Sequence, residues 1–210
     1  MNNNQLQILF ISIAAIVTSA FIFILVRKNN KHIEMGELKD EDVIGVFETW
    51  DSKSNETIKT LHPKVRKNYS DFINDLSTQG IKYRLYSGLR TFEEQAELYG
   101  KGRTESDLIL VNVDKKYARP TEKRVTDAIP GKSYHNYGLA GDGVEIVNGS
   151  AIWKSPNEQK IVETAKKYDL YWGGNFGDSP HFEYKLFGSV AQLLALYNNN
   201  QKDSNGYLIV

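Results

Sequence analysis

The chain has 210 residues, with 26 Lys and Arg balanced by 26 Asp and Glu, giving a formal net charge of zero, and it contains no cysteine. The lack of cysteine excludes disulfides, thiolate metal ligands and a cysteine nucleophile. The charge balance and the lack of any RNA- or DNA-binding motif argue against a nucleic-acid partner. With the N-terminal segment set aside, about 170 residues remain, enough for one domain with its own core.

Residues 1–7 form a short polar tail. From Ile8 to Val26 the chain reads ILFISIAAIVTSAFIFILV, without a charge. At a rise of about 1.5 Å per residue, this run approaches the length that spans a bilayer core of about 30 Å. No Lys or Arg precedes it, and six apolar residues follow the small-residue site Thr18-Ser19-Ala20. A single-pass membrane anchor over 8–26 is therefore expected; cleavage as a signal peptide would instead leave a secreted protein. Arg27, Lys28 and Lys31 follow the run, and the positive-inside tendency would keep the rest of the chain cytoplasmic. The function inferred below requires the opposite, an extracytoplasmic domain, and that orientation is preferred. Residues 27–54 read as a linker, 55–198 as the folded domain and 199–210 as a flexible C-terminal tail.

Val65, Tyr69, Phe72, Ile73 and Leu76 recur at helical spacing and predict an amphipathic helix over His62–Thr78, ended by Gly80. Ile81, Tyr83 and Leu85 alternate as in a strand. Thr91, with Glu94 three residues on, is a capping box that opens a helix to about Tyr99. Thr104–Lys132 reads as an excursion near the site, with a short strand at Asp107–Val113. Leu139–Ile146 is expected as a strand, with Ala151–Trp153 pairing back through Asn148-Gly149. Ser155-Pro156-Asn157-Glu158 reads as a helix start, with Ile161, Val162 and Ala165 as the buried stripe. Leu170–Trp172 and His181–Tyr184 are further strands, and Leu186–Tyr197 a closing helix. Helices and short strands mix without βαβ regularity, which predicts an α+β fold built on a small antiparallel sheet flanked by helices.

Two stretches carry the chemistry. The first is Ser133-Tyr134-His135-Asn136-Tyr137-Gly138-Leu139-Ala140-Gly141-Asp142; the second is Gly177-Asp178-Ser179-Pro180-His181-Phe182-Glu183. Together they offer two imidazoles and a carboxylate, the ligand count of a catalytic zinc site with one open position. A loop carrying His135 into a strand carrying Asp142 can bring the two together, with Gly138 permitting the turn. In that strand Glu145 faces away from Asp142. Asp178 is a carboxylate beside a ligand, suited to moving a proton. The same residues also read as a surface histidine and a turn-forming aspartate, so spacing by itself leaves the metal site open.

The two stretches, with Trp172-Gly173-Gly174 and a third block, Ser87-Gly88-Leu89-Arg90-Thr91-Phe92-Glu93-Glu94-Gln95 followed by Leu98-Tyr99 and Gly102-Arg103-Thr104, resemble the VanY-type D-alanyl-D-alanine carboxypeptidases. The branch they most resemble is that of the CwlK-type L-alanyl-D-glutamate peptidases and related phage endolysins. The likeness runs from about Leu61 to Tyr184. It implies the zinc peptidase fold of the hedgehog and DD-peptidase type, and one Zn2+ ion held by His135, Asp142 and His181. It further implies Asp178 as general base and acid, and Arg90 as the group that binds the scissile carbonyl and stabilises its oxyanion. Ser133 matches a position lining the substrate pocket, Gln95 falls in the substrate-binding group as a buttress of Arg90 or of the site floor, and Glu183 is placed to accept a hydrogen bond from a ligand histidine. The implied substrate is the stem peptide of peptidoglycan, cut by a monomer. Gly141 and Gly143 depart from the larger apolar residues usual in the family, and the loop Asn175-Phe176-Gly177 is short. A non-catalytic, zinc-containing wall-binding module and a zinc enzyme for small D-amino-acid dipeptides are the alternatives.

Overall fold

The structure, a computed structural model, describes residues 47–210. The membrane anchor expected over 8–26 lies outside the described residues; among these, no helix is long and apolar enough to cross a membrane. Among the described residues, 3-10 turns aside, the α-helices and strands follow in the order α1 (Ser52–Thr60), α2 (Pro63–Thr78), β1 (Tyr83–Ser87), α3 (Phe92–Gly100), α4 (Glu105–Ile109), β2 (Ala140–Val147), β3 (Ser150–Ile152), α5 (Glu158–Lys166), β4 (Tyr171–Trp172), β5 (His181–Glu183) and α6 (Val190–Asn198). The five strands form one antiparallel sheet in the order β1-β2-β5-β4, with β3 also paired to β2. The expected α+β class and antiparallel sheet are what the chain forms.

β2 is the centre of the sheet. One of its edges pairs with β1; the other is shared, with β5 opposite Ala140–Asp142 and β3 opposite Glu145–Val147. The β2–β3 hairpin turns through Asn148 (φ 50°) and Gly149 (φ 80°), the left-handed pair that a two-residue turn requires. On the inner face of the sheet lies α2. Its Val65, Tyr69, Phe72, Ile73 and Leu76 are each 0% exposed, and burial of each such side chain is worth about 1.5–3 kcal/mol. The Phe72 ring sits 5.2 Å from that of Tyr83 and 5.4 Å from that of Phe182.

The glycines beside Asp142 have their reason here. A Cβ on Gly141 would lie 2.9 Å from Leu85 Cδ1 and 3.1 Å from the Tyr69 ring; one on Gly143 would lie 2.4 Å from the Tyr83 ring and 2.7 Å from the Arg84 carbonyl oxygen. Both positions point into the core, where buried rings fill the space a side chain would need.

Four expectations are corrected. Part of the expected linker is helical: α1 is capped by Asp51, whose side chain accepts from the Ser54 N–H. The strand expected at Asp107–Val113 is replaced by α4, because Thr104 and Asp107 close a reciprocal capping box. The helix expected from Ser155 begins at Glu158: the Ser155 hydroxyl donates to Glu145 and accepts from the Asn157 N–H, so Pro156 and Asn157 form a turn ahead of the helix. The C-terminal residues, expected as a flexible tail, dock on the core: Leu208 is buried, its carbonyl accepts from His62 Nε2 at 2.9 Å, and residues 202 and 208 form an antiparallel bridge.

Candidate metal centre

The outer face of the sheet carries the site. β-Period alternation sends Phe182 inward to the core, so His181 and Glu183 point the other way, and Asp142, between its two inward glycines, does the same. Asp142 and His181 are directly opposed across the β2–β5 pair. His135 reaches them from a 3-10 turn, Tyr134–Tyr137, that precedes β2. Ser133 caps that turn by accepting from the His135 N–H at 3.3 Å. Gly138 ends it with φ 67°, a left-handed conformation that costs other residues energy. A Cβ there would also lie 2.7 Å from the His62 nitrogen.

Three ligand atoms converge. His135 Nε2 is 3.2 Å from Asp142 Oδ1, His181 Nδ1 is 3.0 Å from the same oxygen, and the two nitrogens are 3.2 Å apart. Each imidazole is held by its other nitrogen. His135 Nδ1 donates to the Gly88 carbonyl at 2.7 Å, and His181 Nε2 donates to Glu183 Oε2 at 3.1 Å. Both converging nitrogens are therefore left with lone pairs, facing a carboxylate oxygen. Such a convergent set of acceptors suits a cation. Ligands at about 2.0–2.1 Å in a tetrahedral zinc site stand about 3.3 Å apart, so the spacing and chemistry of this donor set fit one divalent ion.

The electrostatics agree. Burial by itself would raise the Asp142 pKa, but hydrogen bonds to His135 and His181 outweigh it and hold the carboxyl well below its usual range. Burial opposes charge on His181, yet hydrogen bonds to Asp142 and Glu183 push it up to about 9. Without a metal the cluster holds a proton in the place of the cation.

Arg90 arrives from the segment between β1 and α3. Its Nη2 is 3.6 Å from Asp142 Oδ2, and its Nη1 donates to Gln95 Oε1 at 3.0 Å. Its backbone is tied to the metal turn, the N–H donating to the His135 carbonyl and the carbonyl accepting from Asn136 Nδ2, both at 3.0 Å. Gln95 is 0% exposed and holds Arg90 from within the fold, the buttressing contact read from the sequence. Asp178 follows Gly177 in an exposed turn, and its carbonyl accepts from the His181 N–H at 3.2 Å. Its carboxylate has no hydrogen-bond partner among the described residues. Burial and the Asp142 charge raise its pKa, against the pull of His181, His135 and Arg90. Ser133 spends its hydroxyl on the His135 turn. Glu145, facing inward, bonds Ser155 and Asn157 and takes no part.

Three exposed aromatics rim the centre. Tyr86, next to the Ser87 that faces Asp142 in register, meets Trp153 edge-on at 5.7 Å, and the Phe176 ring lies 5.8 Å from that of His181. Of the other aromatics in the two chemical stretches and the Trp172-Gly173-Gly174 block, Tyr137 is buried against Phe92, and Trp172 is half-buried, its Nε1 donating to the Ser179 carbonyl. The Gly88 carbonyl and Asn136 were not foreseen. The first is a backbone group with no residue signature, while Asn136 stood in the first chemical stretch beside His135.

The family model for VanY, D-alanyl-D-alanine carboxypeptidase, matches residues 58–185. The peptidoglycan L-alanyl-D-glutamate endopeptidase CwlK of Bacillus subtilis is 35% identical over 136 residues, 59% of this chain and 72% of that protein. Among solved structures, the Serratia marcescens L-Ala D-Glu endopeptidase ChiX is 16% identical with a TM-score of 0.42, over 65% of this chain and 89% of its own. VanYB in complex with D-alanine-D-alanine is 18% identical with a TM-score of 0.44, over 68% and 84%.

Proposed function

The chain belongs to the VanY family of D-alanyl-D-alanine carboxypeptidases, and from that premise we propose that it is a zinc peptidase that hydrolyses peptidoglycan stem peptides. The observation that carries this is the convergence of His135, Asp142 and His181 with both imidazoles fixed through their far nitrogens. The likeness to CwlK favours the L-alanyl–D-glutamate bond as the one cut; D-Ala-D-Ala carboxypeptidase action is the other outcome of the test.

His135, Asp142 and His181 would hold the zinc. When bound, zinc supplies a Lewis acid that polarises the scissile carbonyl and lowers the pKa of water. Asp178 removes a proton from the attacking water and returns it to the amine nitrogen as the C–N bond breaks. Its raised pKa suits both halves of that task. Arg90 turns its guanidinium to the carbonyl oxygen and donates to it as negative charge grows there. Glu183, itself held by Lys185 at 2.7 Å, keeps His181 in the tautomer that leaves Nδ1 free. Ser133 would support substrate at the edge of the pocket as well as capping the His135 turn.

The alternative of a non-catalytic wall-binding module rests on Gly141, Gly143 and the short loop Asn175-Phe176-Gly177; core packing accounts for the two glycines. We further propose that residues 8–26 anchor a monomeric domain on the outer side of the membrane, where its substrate lies; the uncharged run supports this. A reporter active on only one side, fused after Val210, tests the orientation. Purified muropeptides incubated with the protein, with and without a chelator, test the activity. Mass spectrometry of the products identifies the bond, and failure to release amine in a zinc-dependent way would overturn the reading.

A further inference from the structure

A buried cation that the reaction does not use pins the excursion between α3 and the metal turn. The Arg103 side chain is 2% exposed. Its guanidinium lies 3.7 Å from the Tyr99 ring centroid. Nη1 donates to the Tyr99 carbonyl, and Nη2 donates to the Thr126 carbonyl and to Asp127 Oδ1, both at 2.9 Å. Nε has no partner. Burying a cation costs several kcal/mol unless it is well paired, and the sole acid paired with this one among the described residues, Asp127, is 84% exposed. Packing alone would be served as well by an apolar residue; what sets the fork apart is the three oxygens it meets.

What it holds leads to the active centre. One residue past Asp127, the Ala128 carbonyl accepts from Gln95 Nε2 at 2.7 Å. With its amide nitrogen so fixed, the fully buried Gln95 can present only its oxygen to Arg90, and it accepts from Arg90 Nη1 at 3.0 Å. The other end of that guanidinium stands 3.6 Å from Asp142 Oδ2.

We propose that Arg103 is a positioning residue for Arg90: by fixing Thr126 and Asp127 it sets the Ala128 carbonyl, which orients the Gln95 amide, which aims the Arg90 guanidinium at the scissile carbonyl. The proposal rests on the reading of Arg90 as the oxyanion donor. Lysine cannot replace Arg103, because a point ammonium lacks the planar fork that meets three acceptors while stacking on Tyr99. Arg124, 3.6 Å from Asp127 Oδ1, shares that carboxylate but has no hydrogen bond to Thr126.

The test uses the full chain, zinc-loaded in detergent, with Arg103→Lys and Asp127→Ala each made in the Arg90 and the Arg90→Lys backgrounds. With muropeptide as substrate, Arg103→Lys should lower kcat about 10- to 100-fold with KM within about twofold, and Asp127→Ala several-fold. In the Arg90→Lys background either change should alter kcat by less than about twofold, since residues acting as one unit are non-additive. Equal losses in both backgrounds would overturn the proposal. If Arg103→Lys does not fold, the exposed Asp127→Ala decides. A second readout needs no turnover: the guanidinium 15N resonances of Arg90 in metal-free protein should report hindered rotation in the parent and free rotation in either variant. Unchanged Arg90 resonances would also overturn the relay. A parent chain that releases no amine from muropeptides overturns the peptidase reading instead, and the resonance comparison still decides Arg103.

Discussion

At the scale of single residues the centre divides labour between groups that hold and groups that move a proton. Asp178 belongs to the second kind, since it is exposed and its carboxylate has no partner among the described residues. Replacement with Asn keeps its size and removes the base. Turnover of muropeptides should fall about 10²- to 10⁴-fold, while zinc affinity measured by competition with a chromophoric chelator stays within a few-fold. Loss of metal in parallel with activity would place Asp178 among the ligands instead. Glu183 belongs to the first kind. Gln at 183 can still accept through its amide oxygen but carries no charge to match the His181 N–H. The same competition assay should show zinc affinity lower by about 10- to 100-fold, and an unchanged affinity would mean that Glu183 serves only Lys185.

At the scale of elements, the site depends on β2 presenting Asp142 outward from between two residues too small to obstruct the core. Gly143→Ala tests that. The added methyl would meet the Tyr83 ring and the Arg84 carbonyl, and overpacking of this kind costs about 1–3 kcal/mol. Denaturant unfolding of the metal-free protein should show the loss, and weaker zinc binding should accompany it, because Tyr83 and Arg84 belong to the strand paired with the Asp142 strand. Unchanged stability would mean that β1 yields without cost. Much of this was readable beforehand. Period-two alternation put His181 opposite in sense to Phe182, Gly138 marked the turn after His135, and the Thr91–Glu94 box stands where it was expected. The Asp142–His181 register was not readable, since strand pairing is set by contacts far apart in sequence. α4 was misread because Leu108, Ile109, Leu110 and Val111 make a strand-like apolar run, while the box between Thr104 and Asp107 decides the local geometry. α1 was missed for a related reason: Ile58 is its one buried large apolar residue, too little for a helical stripe.

At the scale of the whole molecule, His62 ties the C-terminal segment to the metal turn. Its ring donates to the Leu208 carbonyl from Nε2 and accepts from the Lys64 N–H, while its own N–H donates to the Gly138 carbonyl at 2.9 Å. Phe187 and Tyr207 enclose the ring. Burial lowers its pKa, helped by Lys64 and Arg66 and opposed by the Leu208 bond and Asp203. The sign follows from proton binding: above about pH 6.5 the ring is neutral in both the folded and the unfolded chain, and its docking counts in full. As pH falls below that value the unfolded chain takes up a proton that the folded one resists, so stability is lost towards the lower, folded pKa. Thermal melts of the metal-free protein between pH 8 and pH 5 should therefore fall more steeply for the parent than for His62→Gln, which remains neutral throughout. The metal ligands titrate in both proteins, so the difference between the two curves isolates His62. Parallel curves would show that the C-terminal segment docks without regard to the charge on this ring.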